Sequence, residues 1–597
     1  MKLYIGFIFL LIFQSLEAEP FVWLETELFE QKGGWVSDSQ FMDQMGSSFL
    51  MSHGLGIPVN DASTVVTFPE KGQYHFWVRT RDWIPADLGP GPGLFNVLVN
   101  NVVAGPVFGG DGVNEWHWAY GGVVKVDDLK IKVSLKDISG FDGRCDVICF
   151  SKKRENLPNG LKELELLRNK SLGITIKPEI HTGFDLLVAG GGVAGICAAV
   201  QAARLGLKVA LVHNRPVLGG NSSSEVRVST TGNTFVNKYP SLGRIVREID
   251  NYEAGMGGPA EGYLDQLRWQ VVRNEKNIVL FDNMHVMDAK VENNMIKGVY
   301  TRDIRSFKMH CFEAVLFADC TGDATLGIRA GADYRYGRES KEFANESSAP
   351  LKEDNLVMGS SNQWRSELLE KQTDFDVKPW MFKFSDEYHF PMLSSSWNWE
   401  SGFNNFHTVY QAEEIRDLNM LAIYSNWAYL KSFKREQFGF YKMAELQINA
   451  GKRESFRLMG DLVLNENDVV NKIDYPDALV TTDWGIDLHY PDTVNSTYFP
   501  GREFIGYAVH PFKQKDIYSF PYRCFYSRNI SNLFMAGRNI SVTHIALGTV
   551  RVQRCTGMMG EAVGIAAYLC KKYDCSPREI YNAYLNELLK FVEKGCL

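Results

Sequence analysis

The chain has no basic surplus, no long apolar run beyond its first residues and no C-x-x-C or C-x4-C pair near a glycine-rich turn. Each absence excludes a class. With 63 Lys and Arg against 71 Asp and Glu, the formal net charge is -8, and a nucleic-acid backbone rewards the opposite sign, so no nucleic-acid partner is expected. The one apolar run, residues 3–13, is too short to cross a bilayer. Lys2 ahead of it and Leu16-Glu17-Ala18 behind give residues 1–18 the pattern of a signal peptide, which predicts a secreted or extracytoplasmic chain without a membrane span. The missing dithiol motif argues against disulfide-reductase chemistry.

Ten cysteines in 597 residues are too sparse for a disulfide scaffold. Cys145 with Cys149 and Cys570 with Cys575 are the local pairs that an oxidising compartment would join. Sequons at Asn169, Asn345 and Asn495 are expected glycan acceptors, whereas those at Asn221, Asn529 and Asn539 fall inside the motifs described below. A composition 45% hydrophobic and 22% charged is that of a folded globule, and its length requires two or three cores.

The most informative stretch is Phe-Asp-Leu-Leu-Val-Ala-Gly-Gly-Gly-Val-Ala-Gly, residues 184–195. An apolar strand runs into Gly190, Gly192 and Gly195, the G-x-G-x-x-G spacing of a dinucleotide-binding βαβ unit. Gly190 allows the tight turn, Gly192 lets backbone approach a pyrophosphate, and Gly195 lets the helix lie close to the strand with its N-terminal N–H groups facing the anion. Ala198, Ala199, Ala202 and Ala203 then make a close-packing helix face, and residues 208–212 a second strand. Where such sites usually carry an acid for the ribose hydroxyls, this chain has His213-Asn214-Arg215. Asn214 can accept from a hydroxyl, and His213 with Arg215 would suit the extra phosphate of NADP. The turn at Gly219, Gly220, Asn221 and Ser222 supplies small hydrogen-bonding groups for the next part of a long cofactor, such as a ribityl chain.

Residues 21–150 read as strands. Leu129, Ile131, Val133 and Leu135 alternate with polar neighbours, and Tyr74, Phe76 and Val78 do the same, at the spacing of an all-β sandwich. Trp77, Arg79, Arg81, Trp83, Trp116, His117, Trp118 and Tyr120 either stack on a sugar or seal the sandwich to its neighbour. With Gly33-Gly34-Trp35 and residues 142–146, the segment resembles the galactose-binding-like sandwiches of carbohydrate-binding modules. Residues 151–183 form a linker.

Further on, residues 314–319 form a buried strand ending in Cys-Thr-Gly-Asp, with Asp323 placed either to accept from cofactor hydroxyls or to cap the next helix. Residues 532–535 deliver Gly537 and Arg538, followed by His544, Arg551 and a helix carrying Gly557, Gly560 and Gly564. A helix start aimed at a reduced flavin's anionic edge would stabilise it. Residues 335–515, rich in Trp and His, are expected to form an inserted α+β substrate region. Residues 483–489, Asp-Trp-Gly-Ile-Asp-Leu-His, crowd acidic and imidazole groups together; no second cluster at ligand spacing supports a metal there, and none is expected.

In order, GGGVAG, RPVLGGNSSSEVR, FADCTGD and the run from Asn532 through Ala567 resemble an FAD-dependent oxidoreductase family found in polysaccharide-utilising bacteria, related in fold to fumarate reductase-type flavoproteins. The resemblance implies an α/β Rossmann-type FAD-binding domain in two parts, residues 184–334 and 516–597, with bound FAD. With FAD bound, the residues themselves suggest His544 as base and Arg551 as the cation facing developing negative charge, with Arg227 and His489 behind them. The function expected is oxidation of a hydroxyl-bearing small molecule, a sugar or glycoside, by hydride transfer to flavin N5. Two alternatives stand beside it: a carbohydrate-binding protein with a structural flavin, and an NAD(P)H-dependent reductase or monooxygenase.

Overall fold

The computed structural model describes residues 21–250, 254–512 and 517–594. The expected signal peptide and Cys596 lie outside the described residues.

Five parallel strands organise the molecule: β1 (Glu179–Ala189), β2 (Val209–His213), β3 (Ile278–Asp282), β4 (Met309–Asp319) and β5 (Leu533–Met535). Their spatial order is 3-2-1-4-5, the doubly wound arrangement whose strand order reverses between β1 and β4. Residues 186–189 and 209–212 are apolar and fully buried, as in a parallel sheet covered on both faces. The carboxyl ends stay level, with Ala189 beside both Val212 and Asp319, and Asp319 beside Met535. A hairpin of Met284–Glu292 and Met295–Asp303 adds antiparallel to the first half of β4, turning at Asn293 and Asn294, both in the left-handed region.

Three helices complete the framework: α1 (Val193–Arg204), α2 (Ala412–Phe433) and α3 (Gln553–Tyr573). The small residues of α1 and α3 let these two helices touch backbone to backbone. A Cβ added at Gly560 would lie 2.1 Å from the Ala194 carbonyl oxygen. Gly560 therefore joins helices rather than contacting a cofactor, and Gly560→Val is expected to yield chain without bound flavin or no soluble chain, read as the flavin-to-protein absorbance ratio.

Ahead of this domain, a six-stranded and a four-stranded antiparallel sheet share one core. The linker contains a helix at Leu161–Leu172, and β1 begins at Glu179, five residues before the sequence pattern suggests. The aromatic and cationic side chains of these sheets are spent on packing. Trp83 joins the core built around α2, Trp23, Trp77 and Trp118 cluster with Leu164 of the linker helix, and Arg79 pairs with Asp146 at 2.6 Å.

The described cysteines are all thiols. Cys145 and Cys149 lie in two different cores and, four strand residues apart, stand about 13 Å from one another, beyond disulfide reach. The thiols of Cys570 and Cys575 are hydrogen-bonded neighbours without a bond between them. Of the three expected glycan acceptors only Asn345 is exposed. Asn495 is fully buried and accepts from the Phe504 and Ile505 N–H groups, and Asn169 is buried as well. No helix among the described residues is long and apolar enough to cross a membrane.

Candidate active site and cofactor cavity

A cavity of about 690 Å³ opens at the carboxyl ends of β1 and β4, where ligands bind in this architecture. Its floor is two glycine turns laid against each other: Gly219 N–H donates to the Gly191 carbonyl at 2.8 Å, and Gly192 bridges to Gly219. Gly190 has φ +101°, and a Cβ at Gly195 would lie 1.8 Å from the Gly190 oxygen. Gly190, Gly192, Gly219, Gly220 and Asn221 line the cavity; Gly195 shapes the turn from behind. Ser222 points inward, donating to the Gly219 carbonyl, and is not in the lining.

His213 is not available as a phosphate ligand. His213 is buried; its Nδ1 accepts from Gly191 N–H at 2.9 Å, and its Nε2–H donates to the Val217 carbonyl at 2.8 Å. Burial pushes its pKa down to about 4, so it braces the glycine turn as a neutral imidazole. Arg215 donates to Glu225 at 2.6 Å. Of the two residues that favoured NADP, the structure takes up His213 alone as a brace, while Asn214 and Arg215 both line the cavity. Because protonation would cost Nδ1 its acceptor role, stability supported by His213 is complete above its unfolded value of 6.5 and is lost as the pH falls through about 4. The stability difference between wild type and His213→Gln should shrink by about 3 kcal/mol between pH 7 and pH 4 in urea unfolding; a pH-independent difference refutes a buried neutral imidazole.

The β4 turn differs from expectation in its caps. Asp323 does not cap the following helix, Thr325–Arg329. Asp319 instead accepts from Thr321 and from Gly327 N–H, and Thr321 Oγ1 accepts from Thr325 N–H. Asp323 lines the cavity, with Lys452 at 2.7 Å and Arg538 at 2.6 Å. Burial opposes its ionisation, but these two cations outweigh it and hold the carboxyl well below the usual range. Gly537 and Arg538 are also in the wall.

At the far end, His489, Arg551, Asp487, His510 and Arg453 line the cavity beside Trp397 and Trp484. The Nδ1 of His489 lies 2.8 Å from Glu400, and its Nε2 lies 3.4 Å from Asp487, a looser contact. Arg551 reaches Asp487 at 3.1 Å and Arg453 reaches Glu400 at 2.7 Å. Burial opposes ionisation of Asp487, and His489 and Arg551 override it, so its pKa lies well below the ordinary value. Two guanidinium groups here face two carboxylates.

His544 and Arg227 are elsewhere. His544 is fully buried, with Nδ1 2.9 Å from Glu454, and does not line the cavity. Arg227, at φ +62°, is paired with Glu445 and is likewise outside the lining. The helix start, not the histidine before it, is what the last third of the chain aims at the cavity: Val552, Gln553 and Thr556 are in the wall. The sequence reading missed Lys452 and Arg453, whose run Asn449-Ala450-Gly451-Lys452-Arg453 lies wholly in the wall. It also missed Gln40, Phe41, Asp43 and Gln44, in the turn and short helix between two N-terminal strands, which close one side without any local motif.

These residues fit FAD. α1 and α3 both begin at the cavity without a side-chain cap, leaving N–H groups for anionic parts of a ligand. Polar atoms of Gln363, Arg538, Arg551 and Gln553, all wall residues, are buried without a partner among the described residues. Strand order, glycine turns and a cavity with two helix N-termini in its wall define a two-part dinucleotide-binding flavoprotein.

A family model described as FAD dependent oxidoreductase matches residues 185–589, and the chain belongs to that family. Among curated proteins, the tRNA uridine 5-carboxymethylaminomethyl modification enzyme of Alkaliphilus metalliredigens is 30% identical over 163 residues, covering 21% of this chain and 23% of that protein. The chain thus spans about a quarter of that relative. Solved structures that it resembles include a geranylgeranyl bacteriochlorophyll reductase-like protein from Thermoplasma acidophilum (14% identity, TM-score 0.31, 70% of this chain and 84% of that one). Another is glycerol-3-phosphate dehydrogenase from Bacillus halodurans complexed with FAD (16% identity, TM-score 0.20, 35% and 46%).

Proposed function

We propose that this protein oxidises a hydroxyl-bearing small molecule, a sugar or glycoside, with the reacting carbon held at the His489 end of the cavity. The observation that carries the reading is the union, in one cavity, of the glycine-lined dinucleotide floor with a polar end of His489, Arg551, Asp487 and Arg453. Trp397 and Trp484 in the same wall offer flat apolar faces beside hydrogen-bonding groups, the combination that suits a sugar ring. Bound FAD supplies a two-electron acceptor for hydride. Gly192, Gly220, Asn214, Asn221 and Arg538 are the residues in place to hold it.

His489 takes the base role that the sequence pattern offered to His544. Glu400 accepts from His489 Nδ1–H and fixes the ring, leaving Nε2 to receive the hydroxyl proton. Arg551, kept near Asp487, steadies negative charge developing on the substrate oxygen. The amino-terminal hydrophobic run makes secretion part of this proposal. The test is to purify the protein, record its visible spectrum and mix it anaerobically with panels of sugars, glycosides and amines. Bleaching by a sugar supports the reading; bleaching by amines alone, or by NADPH alone, overturns it.

A further inference from the structure

Among the described residues, two clusters bring three potential metal ligands together. The first, Glu25, Glu27 and Asp146, is buried, and its space is taken by guanidinium groups: Arg168 is 2.5 Å from Glu25 and Arg79 is 2.6 Å from Asp146. The second, Glu179, His181 and His310, contains no such cation. It lies at the amino ends of β1 and β4, the edge of the sheet opposite the flavin cavity.

The fold builds this second cluster directly. Glu179 and His181 are two residues apart on β1 and so share a face. Parallel pairing places His310 of β4 beside Glu179. His181 Nε2 faces His310 Nδ1 at 3.0 Å, and the Glu179 carboxylate is 3.7 Å from the first and 3.9 Å from the second. For bonds of about 2.0–2.1 Å, the edge of a tetrahedron is about 3.3–3.4 Å, so small movements bring all three atoms onto one ion. The rings are held by packing: His181 stacks on Phe312 with centroids 4.6 Å apart, meets Phe281 edge-on at 5.1 Å and faces His310 at 5.3 Å with the planes 23° apart, so each imidazole tilts from the other ring to turn its lone pair onto the ion. Glu179 is exposed, giving an ion access and leaving a fourth position to water.

We propose that Glu179, His181 and His310 form a binding site for a divalent transition metal of the zinc type. Two imidazoles and one carboxylate suit zinc or cobalt, whereas calcium and magnesium prefer an all-oxygen shell. Binding needs both facing nitrogens as lone-pair donors, so the N–H proton between them passes to the other nitrogen of its own ring as both become ligands. The register of β1 against β4 shifts between His181 and Phe184; an ion on these residues clamps the strand ends beyond that irregularity. The role is structural, remote from the redox cavity.

The test uses the full-length, flavin-loaded protein stripped of metal by chelation. Titration with Co²⁺ should give the visible ligand-field bands of a tetrahedral site at one equivalent, at wavelengths beyond the flavin absorption, and Zn²⁺ should abolish them. In competition with a chromophoric chelator, His181→Gln and His310→Gln should each bind Zn²⁺ more than about 100-fold more weakly, exceeding the 10- to 100-fold effect of losing an outer-shell partner. Glu179→Gln, at an exposed position, should weaken binding by about 10-fold without affecting folding. Flavin content should not change in any variant. Absence of the cobalt bands in wild type, or equal Zn²⁺ affinity in wild type and Glu179→Gln, overturns the proposal.

Discussion

Replacing His489 with Ala should leave a yellow, folded protein whose kcat on its substrate falls by about 10²- to 10⁴-fold, the usual contribution of a positioned general base. The side chain lines the cavity and its Nδ1 is anchored by Glu400, so its removal takes away the proton acceptor without disturbing the glycine turns that hold the cofactor. Glu400→Gln should fall less far, because the imidazole remains but loses its fixed orientation. His544→Gln provides the contrast. His544 is buried with Glu454, which also pairs with Arg457, so that substitution should lower the unfolding midpoint and spare kcat in the protein that remains folded. The measurement is anaerobic flavin reduction by stopped flow alongside urea unfolding. Full reduction rate in His489→Ala would remove this residue from the chemistry.

Glu413→Gln should destabilise the protein by about 3–5 kcal/mol, the cost of leaving buried charge uncompensated. Glu413 begins α2 and is buried where the N-terminal sheets meet the substrate region. It accepts from Arg81 and Arg144 at 2.7 Å each, from Arg416 at 3.2 Å and from the Trp116 indole at 2.9 Å. Asp417 holds Arg144 from the other side and also meets Arg416, which reaches Asp38 at 2.5 Å. With three guanidinium groups converging on one carboxylate, burial alone would raise the Glu413 pKa, but Arg81, Arg144 and Arg416 reverse it and hold the group below the ordinary value. Its contribution is therefore present at neutral pH and lost as the pH falls through that lowered value. Chemical denaturation of wild type and variant at pH 7 measures the effect; a difference below about 1 kcal/mol would show that the network does not couple the two parts. Limited proteolysis should then release residues 21–150 more readily from the variant.

The dinucleotide floor was legible because its requirements are local. A strand, a turn without Cβ atoms and a close helix are written in consecutive residues, and Gly190, Gly192, Gly195, Gly219 and Gly220 stand where that pattern puts them. Family membership followed from four such motifs in order. The active end was only half legible. Residues 483–489 signalled crowded acid and imidazole, but which histidine faces the cavity depends on β-strand pairing and helix placement far away in sequence. His544 precedes a cavity-lining helix and still turns its ring toward Glu454; His489 belongs to a strand paired with Gly506–Phe512 and opens onto the cavity.

The sequence by itself determined the nucleotide-binding turn, the small-residue faces of α1 and α3 and the use of three separated segments around one cofactor, because steric and hydrogen-bonding rules act over a few residues. Tertiary structure alone decided the burial of His213 as a neutral brace, the capture of Asp323 by Lys452 and Arg538, the closing of the cavity by residues 40–44 and the meeting of His181 with His310. Each of these depends on which distant groups share a low-dielectric space, and charge, protonation and ligand geometry follow from that proximity rather than from residue order.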